Sequence, residues 1–323
     1  MNNEVRSSYL DGQERQVHFN LKNPDNCDDA QLEEEWNLLT SLAKKHGVDI
    51  TNKEAKKKKH DSRNKFDGVN LVAQGYDTRH WSIQDVLNHN LLKHVPLEVK
   101  GLVLAMTPFL KATSRGRLVG SGQESLNAGE LAKNLNMNTK TIAPLLEKAE
   151  MYGLIRCTRE GASKHYSIER EYYECGRGEA ITDFVKVFQG KIKELLAVRR
   201  GKLNCEQWGI LADLLNHMHY ESHIICNEPD NPNYSEMKIW RNKDIIERLN
   251  VDKQTVSKTM KKFNELGIII EIKAYGLKTI IMNPEMFSRQ KLGISMEKLK
   301  EVALTQKGNL SKGKNYIKSS RCS

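Results

Sequence analysis

The chain lacks any apolar stretch near the ~18 residues that would argue for a membrane span, and Met1-Asn2-Asn3-Glu4-Val5-Arg6 carries no signal-peptide core. Neither a P-loop glycine-lysine pattern nor a nucleophile elbow occurs, so an ATPase or hydrolase of those kinds would lack its parts. No CxxC pair occurs either. Cys27, Cys157, Cys175, Cys205, Cys226 and Cys322 are scattered, which suits reduced thiols in a cytosol better than a disulfide framework. Acidic residues are outnumbered. Lys and Arg total 51 against 41 Asp and Glu, a net charge of +10 with a pI near 9.1, and an excess of that size fits a polyanionic partner.

What remains is a polar chain of 323 residues with a mean hydropathy of −0.62, long enough for two or three domains. Residues 1–80 are poorly patterned. Gln31 to His46 reads as one amphipathic helix through Leu32, Trp36, Leu39 and Ala43, and Asn52 to Gly68 as a charged linker containing Lys56-Lys57-Lys58-Lys59. The tail at 289–323 is lysine-rich, opposed only by Glu297 and Glu301. Each basic run is either a solvated segment or a phosphate contact.

Between these ends the chain repeats itself. Ala128 to Tyr173 aligns without a gap on Asn242 to Phe287: Leu135-Asn136 on Leu249-Asn250, Thr141 on Thr255, Lys148 on Lys262, Gly153 on Gly267, Lys164 on Lys278. Such a register implies two copies of one folded unit. In the second copy, Ile245, Ile246 and Leu249 form a helical stripe, and Asp252 stands where an N-cap would serve a helix starting at Lys253. Val256, Met260 and Phe263 face inward, Gly267 supplies a left-handed C-cap, and Ile268 to Ile272 and Thr279 to Met282 read as a hairpin turning at Tyr275-Gly276. The first copy repeats the order, with Pro144 inside its second helix. A further helix is expected ahead of each copy, over Leu97 to Leu110 (ended or bent by Pro108) and through Trp208, Leu211, Ala212, Leu215 and Met218.

Helix, short turn, helix, hairpin is the order of a winged helix-turn-helix. The two-copy pattern over Pro96 to Phe287 resembles the tandem winged-helix replication initiators of plasmids and phages. The second copy is also similar to single winged-helix plasmid replication proteins and to multiple-antibiotic-resistance-type repressors. The expected fold is mainly α with small β-wings (α+β), in two winged helix-turn-helix domains at 81–175 and 204–288. They are joined over 176–203 by an amphipathic helix through Ile181, Phe184, Val185, Phe188, Ile192, Leu195 and Leu196, which either packs the domains together or forms a dimer surface. A short helix is expected from Ser82, with Ser82 and Asp85 at capping-box spacing.

In such a unit the second helix enters the major groove. The expected DNA-contacting residues are Lys253, Gln254, Thr255, Ser257, Lys258, Lys261 and Lys262 in copy two, and Thr139, Lys140, Thr141 and Lys148 in copy one, beside Ala143 and Glu147. Gln254 can pair with adenine through two hydrogen bonds, and lysine can donate to guanine or phosphate. From the wings, Arg156, Arg159 and Lys164 and, in copy two, Lys273, Tyr275 and Lys278 are expected on the minor groove or phosphates. Copy two, being more basic and free of proline, is the expected principal reader.

His217-Met218-His219-Tyr220 resembles the metal-and-nucleophile signature of rolling-circle nicking enzymes. There the two histidines share a strand face. Here they are expected to end a helix, where residues two apart diverge by about 200°, with His219 in the core. His219, His223 and Cys226 are an alternative zinc set. The expectation is therefore a sequence-specific duplex DNA-binding protein without catalytic activity, cofactor or metal. By resemblance it is a plasmid or phage replication initiator acting on repeated origin sites. Host replication proteins and a second copy of the chain are its further partners, and its place is a bacterial cytoplasm, on nucleoid or plasmid. A transcriptional regulator uses the same surfaces and is the alternative. A rolling-circle nicking enzyme is the third reading.

Overall fold

In the first copy, Asn127 caps α3 (Ala128–Asn134) through the amide of Glu130, whose carboxylate returns to the Asn127 amide. The computed structural model describes residues 79–175, 183–198, 202–274, 277–290 and 292–305. The helix read over Gln31 to His46, the linker with its lysine run, the turn at Tyr275-Gly276 and the tail beyond residue 305 lie outside them. All the described residues belong to one compact unit, Gly75–Ser323. Its elements in chain order are β1 (Trp81–Asp85), α1 (Val86–Asn90), α2 (Leu97–Met106), α3 and α4 (Thr139–Met151), then β2 (Ile155–Glu160), β3 (Ser163–Ile168) and β4 (Tyr173–Cys175). The second run is β5 (Phe184–Phe188), α5 (Gln189–Ala197), α6 (Cys205–Leu215), α7 (Asn242–Leu249), α8 (Lys253–Glu265), β6 (Ile269–Ala274), β7 (Leu277–Met282), β8 (Phe287–Ser288) and α9 (Met296–Thr305). The fold is α+β.

The repeat is reproduced down to single hydrogen bonds. Asn136 and Asn250 both take the left-handed conformation at the turn between the paired helices (φ 54° and 51°), and Gly153 and Gly267 both take it after the second helix (φ 70° and 67°). Leu154 N donates to Ala149 O at 2.9 Å as Ile268 N does to Phe263 O at 2.8 Å. A short third strand flanks each hairpin. Leu118 N donates to Tyr166 O and Ile225 N to Ile280 O, both at 3.0 Å. Asp252 caps α8 as expected, accepting from the Gln254 and Thr255 amides at 2.9 Å. Helix α4 runs unbroken through Pro144, its sixth residue, where the ring removes one backbone hydrogen bond without ending the helix.

Two expectations are corrected between the copies. Residues 81–85 are strand β1, and the helix begins only at Val86, capped by Asp85 on the Asn88 amide. The connecting helix expected over 176–203 is not one element: Phe184 to Phe188 is strand β5, and among the described residues of that span only Gln189–Ala197 is helical. The two copies are consequently not joined end to end by a helix but share a sheet of order β4-β1-β5-β8. Val185 to Phe188 are all buried, and a strand covered on both faces shows no alternation to separate it from a helical stripe.

The shared sheet relates the copies by a local two-fold. Strands β1 and β5 pair antiparallel about Ile83↔Lys186, with Trp81↔Phe188 and Asp85↔Phe184 at equal distances either side. Helices α2 and α6 cross reciprocally. A Cβ on Gly101 would lie 1.9 Å from Cys205 O, and one on Gly209 would lie 1.9 Å from Leu97 O. Mutual contact of this kind is what a two-fold produces. Lys100 of α2, buried, reaches Asp213 of α6 at 2.6 Å. Beside that pair Gln84 donates to Asn216 Oδ1 at 2.7 Å and accepts from the Tyr173 hydroxyl at 3.0 Å, while His89 Nδ1 meets Asn216 Nδ2 at 2.8 Å. Burial, with Lys100 adding to it, lowers the His89 pKa to about 3; the ring is neutral, so its Nδ1 is the acceptor.

Candidate nucleic-acid interface

The faces of α4 and α8 that turn from the core are set by their inward stripes. Ile142, Leu145, Leu146 and Ala149 are buried in α4, and Val256, Thr259, Met260 and Phe263 in α8. That leaves Thr139, Lys140, Thr141, Pro144, Glu147 and Lys148 exposed on α4, with Ala143 half-buried. On α8 it leaves Lys253, Gln254, Ser257, Lys258 and Lys261 exposed, with Thr255 half-buried. Position for position, Lys253, Gln254, Lys258 and Lys261 stand where copy one has Thr139, Lys140, Pro144 and Glu147. The face of α8 is therefore strongly cationic and that of α4 is not. The Asp252 carboxyl is held below its ordinary value by the Thr255 hydroxyl first, then by the Thr255 and Gln254 amides and Lys258. The cap thus keeps its negative charge, and the first turn keeps its shape.

Lys262 is placed elsewhere. Its ammonium, half-buried, turns back to Lys202 O and to Gln207 Oε1 at 3.1 Å, at the start of α6. Lys202 in turn donates to Asn136 O of the first copy at 2.8 Å. Lys262 belongs to a strap between the copies, whereas Lys148 at the matching position of α4 is exposed.

Along hairpin β2–β3, Arg159 pairs across from Lys164 one step from the turn, while Arg156 pairs across from Ser167 three residues further back, roughly 10 Å away at 3.3 Å per residue. Arg159 and Lys164 thus sit near the tip; Arg156 sits at the base, bridged to Glu169 at 2.9 Å. Lys273 and Lys278 face each other across β6 and β7 next to the second turn. Their side chains, like Tyr275, lie outside the described residues. The basic residues that the sequence reading missed are Arg115, Arg117 and Arg170. Arg117 enters through the third strand (Arg117↔Ser167), an element that no periodicity announces because it is a few residues long.

The histidine segment is corrected. Helix α6 ends at Leu215, and Met218 bridges Ile225 in extended chain, so His217 and His219 do not end a helix. Their rings are committed locally. His217 stacks on Trp240 with centroids 4.0 Å apart. His219 Nε2 lies 3.0 Å from Asn231 O, and its Nδ1 lies 3.1 Å from the Ser222 amide, which fixes a neutral ring protonated at Nε2. Burial lowers His217 to about 4 and His223 to about 3. Among the described residues no three His, Cys, Asp or Glu side chains gather as metal ligands, so His219, His223 and Cys226 form no zinc set. Cys157, Cys175, Cys205 and Cys226 are free thiols. Among the described residues no helix is long and apolar enough to cross a membrane.

No family model, no curated protein and no solved structure matches this chain.

Proposed function

We propose that the chain is a tandem winged-helix protein that binds duplex DNA sequence-specifically, with α4 and α8 as its two reading helices, and that it serves as a replication initiator of a plasmid or phage. One observation carries the DNA-binding reading. Two copies of a capped helix, each followed by a hairpin with basic residues at its tip, are held in fixed mutual orientation by a shared sheet and a close helix crossing. A fixed pair of helices can enter successive major-groove faces without a further ordering cost. The role in replication rests on the tandem order alone.

The local two-fold sharpens the reading. A two-fold pair of reading helices meets a duplex through its dyad, so each binding site should contain two inverted half-sites about one helical turn apart, ~10 bp. Such sites would recur in an origin. The second copy supplies most of the charge and Gln254 supplies base recognition; the first copy adds a weaker half-site. The chain acts by binding, with no covalent step of its own.

Footprinting on DNA flanking the gene tests this directly. Two protected major-groove faces of unequal strength within each site are expected. A footprint on one face only would remove the tandem reading, and no footprint at any salt concentration would remove DNA binding.

A further inference from the structure

The two hairpins differ most on the face turned away from the helices. In copy two that face is apolar and covered. Ile224 and Ile281 are buried there with Tyr234, Met237, Ile294 and Leu299, under α9 and the segment that precedes α7. The matching residues of copy one are Arg117 and Ser167, and Arg156 stands where copy two has Ile270. The match is not loose: Met282 N donates to His223 O as Ile168 N does to Gly116 O. The fold therefore makes no demand for arginine on this face, since its twin is built from isoleucine.

In copy one the same face opens into a cleft of about 490 Å³ lined by Arg115, Arg156, Thr158, Ser167, Arg170 and Glu169, with Ile168 and Glu171 completing it. Glu169 orients Arg156 at 2.9 Å and Glu174 orients Arg170. Each carboxylate occupies at most two of the five donors of a guanidinium. Arg115 is exposed and held in the left-handed conformation at φ 51°, a costly setting for a residue that bears a long side chain.

We propose that this cleft is a ligand site for a nucleoside di- or triphosphate, separate from the surface that would meet DNA. The three guanidiniums and the Thr158 and Ser167 hydroxyls form a donor set for adjacent phosphates. The Glu169 and Glu171 carboxylates supply acceptors for ribose hydroxyls or a base amine. The volume lies in the range of small-molecule sites. Arg159 and Lys164 pair one step beyond Thr158 and so alternate to the opposite face of the hairpin, and a nucleotide bound on the Arg156 and Thr158 face would leave them clear.

The test is titration of the full chain, without DNA, with inorganic pyrophosphate, ADP and GDP, followed by calorimetry. One-to-one binding of pyrophosphate and of at least one nucleotide is expected. The variant R115Q/R156Q/R170Q should bind each at least about tenfold more weakly, as the loss of charge-assisted bonds implies, with an unchanged melting curve, because exposed pairs contribute little stability. Absence of saturable binding, or binding that the variant retains, overturns the proposal. So does a nucleotide displaced stoichiometrically by duplex, since the cleft would then belong to the DNA surface. Failure of the chain to bind DNA would leave the titration unaffected, so the two readings fail separately.

Discussion

The two copies share a backbone and differ in what they wear. The caps of α4 and α8, the left-handed turn residues and the hairpin register coincide, yet α8 presents three lysines where α4 presents threonine, proline and glutamate, and the outer hairpin face is apolar in one copy and arginine-lined in the other. Backbone positions were fixed by conformational need, which only a few residue types satisfy. Exposed positions carried no such constraint and diverged with the surface each copy has to offer. Residues that match across the repeat are thus evidence about folding, and residues that do not match are evidence about task.

The largest expected effect tests the symmetry itself. Gly101→Ala and Gly209→Ala each place a methyl group against backbone across the α2–α6 crossing. Helix backbones cannot yield as a flexible side chain would, so each should cost about 3 kcal/mol or more in urea unfolding, at the upper end of overpacking penalties. The two losses should be similar. If either alanine is tolerated within ~1 kcal/mol, the reciprocal crossing, and with it the two-fold, is wrong.

Acid should separate the copies next. His217 and His223 of copy two are buried with pKa values lowered to about 4 and about 3, against an unfolded value near 6.5. Between those limits the unfolded chain binds protons that the folded one refuses, so stability is full above pH 6.5 and falls as pH drops toward 3 to 4. By pH 4.5 each ring should have withdrawn roughly 2 kcal/mol. Copy one has Gly116 where copy two has His223. Hydrogen exchange at pH 4.5 should then show Ile225 and Trp240 losing protection before their counterparts Leu118 and Leu126. Equal loss would mean that the His89 network between the copies governs acid unfolding instead.

These contrasts also mark what the sequence could say. The gapless repeat, the paired helices, the hairpins and the Asp252 cap were legible because each rests on short-range periodicity or a residue with one conformational use. Strands β1 and β5 were not. Ser82 and Asp85 mimic a capping box, and Phe184, Val185, Phe188 and Ile192 fall at helical spacing although the first three lie in a strand buried on both faces. Lys186, between Val185 and Val187, is buried in the same strand. On the candidate surface, α8 was legible as a charged face, but the turning back of Lys262 and the assembly of Arg115 with Arg156 and Arg170 depend on contacts between distant segments.

A smaller effect concerns base recognition. If α8 is the principal reader, Gln254→Ala should flatten preference at one base pair by about 1–3 kcal/mol, while changes at Thr139 and Lys140 do less. Selection from a randomised-site library would show it. Greater loss of preference from the α4 variants would reverse the ranking of the copies.

The smallest effect separates two lysines that the alignment treats as one. Lys148 is exposed on α4, whereas Lys262 is spent on Lys202 O and Gln207. A lysine that neutralises a phosphate adds about −0.9 to the slope of log affinity against log salt. Lys148→Ala should therefore make that slope shallower by about 0.9 and weaken all sequences alike. Lys262→Ala should leave the slope unchanged, because its ammonium holds the strap that runs through Lys202 to Asn136 of the first copy. Its loss should appear instead as a modest fall in stability, about 1 kcal/mol for hydrogen bonds of a half-buried ammonium. It should also loosen the coupling between half-sites, seen as a weaker dependence of affinity on their spacing. A shallower slope from Lys262→Ala would mean that the side chain leaves the strap when DNA arrives, and that the second copy reaches the backbone with one more cation than its folded state presents.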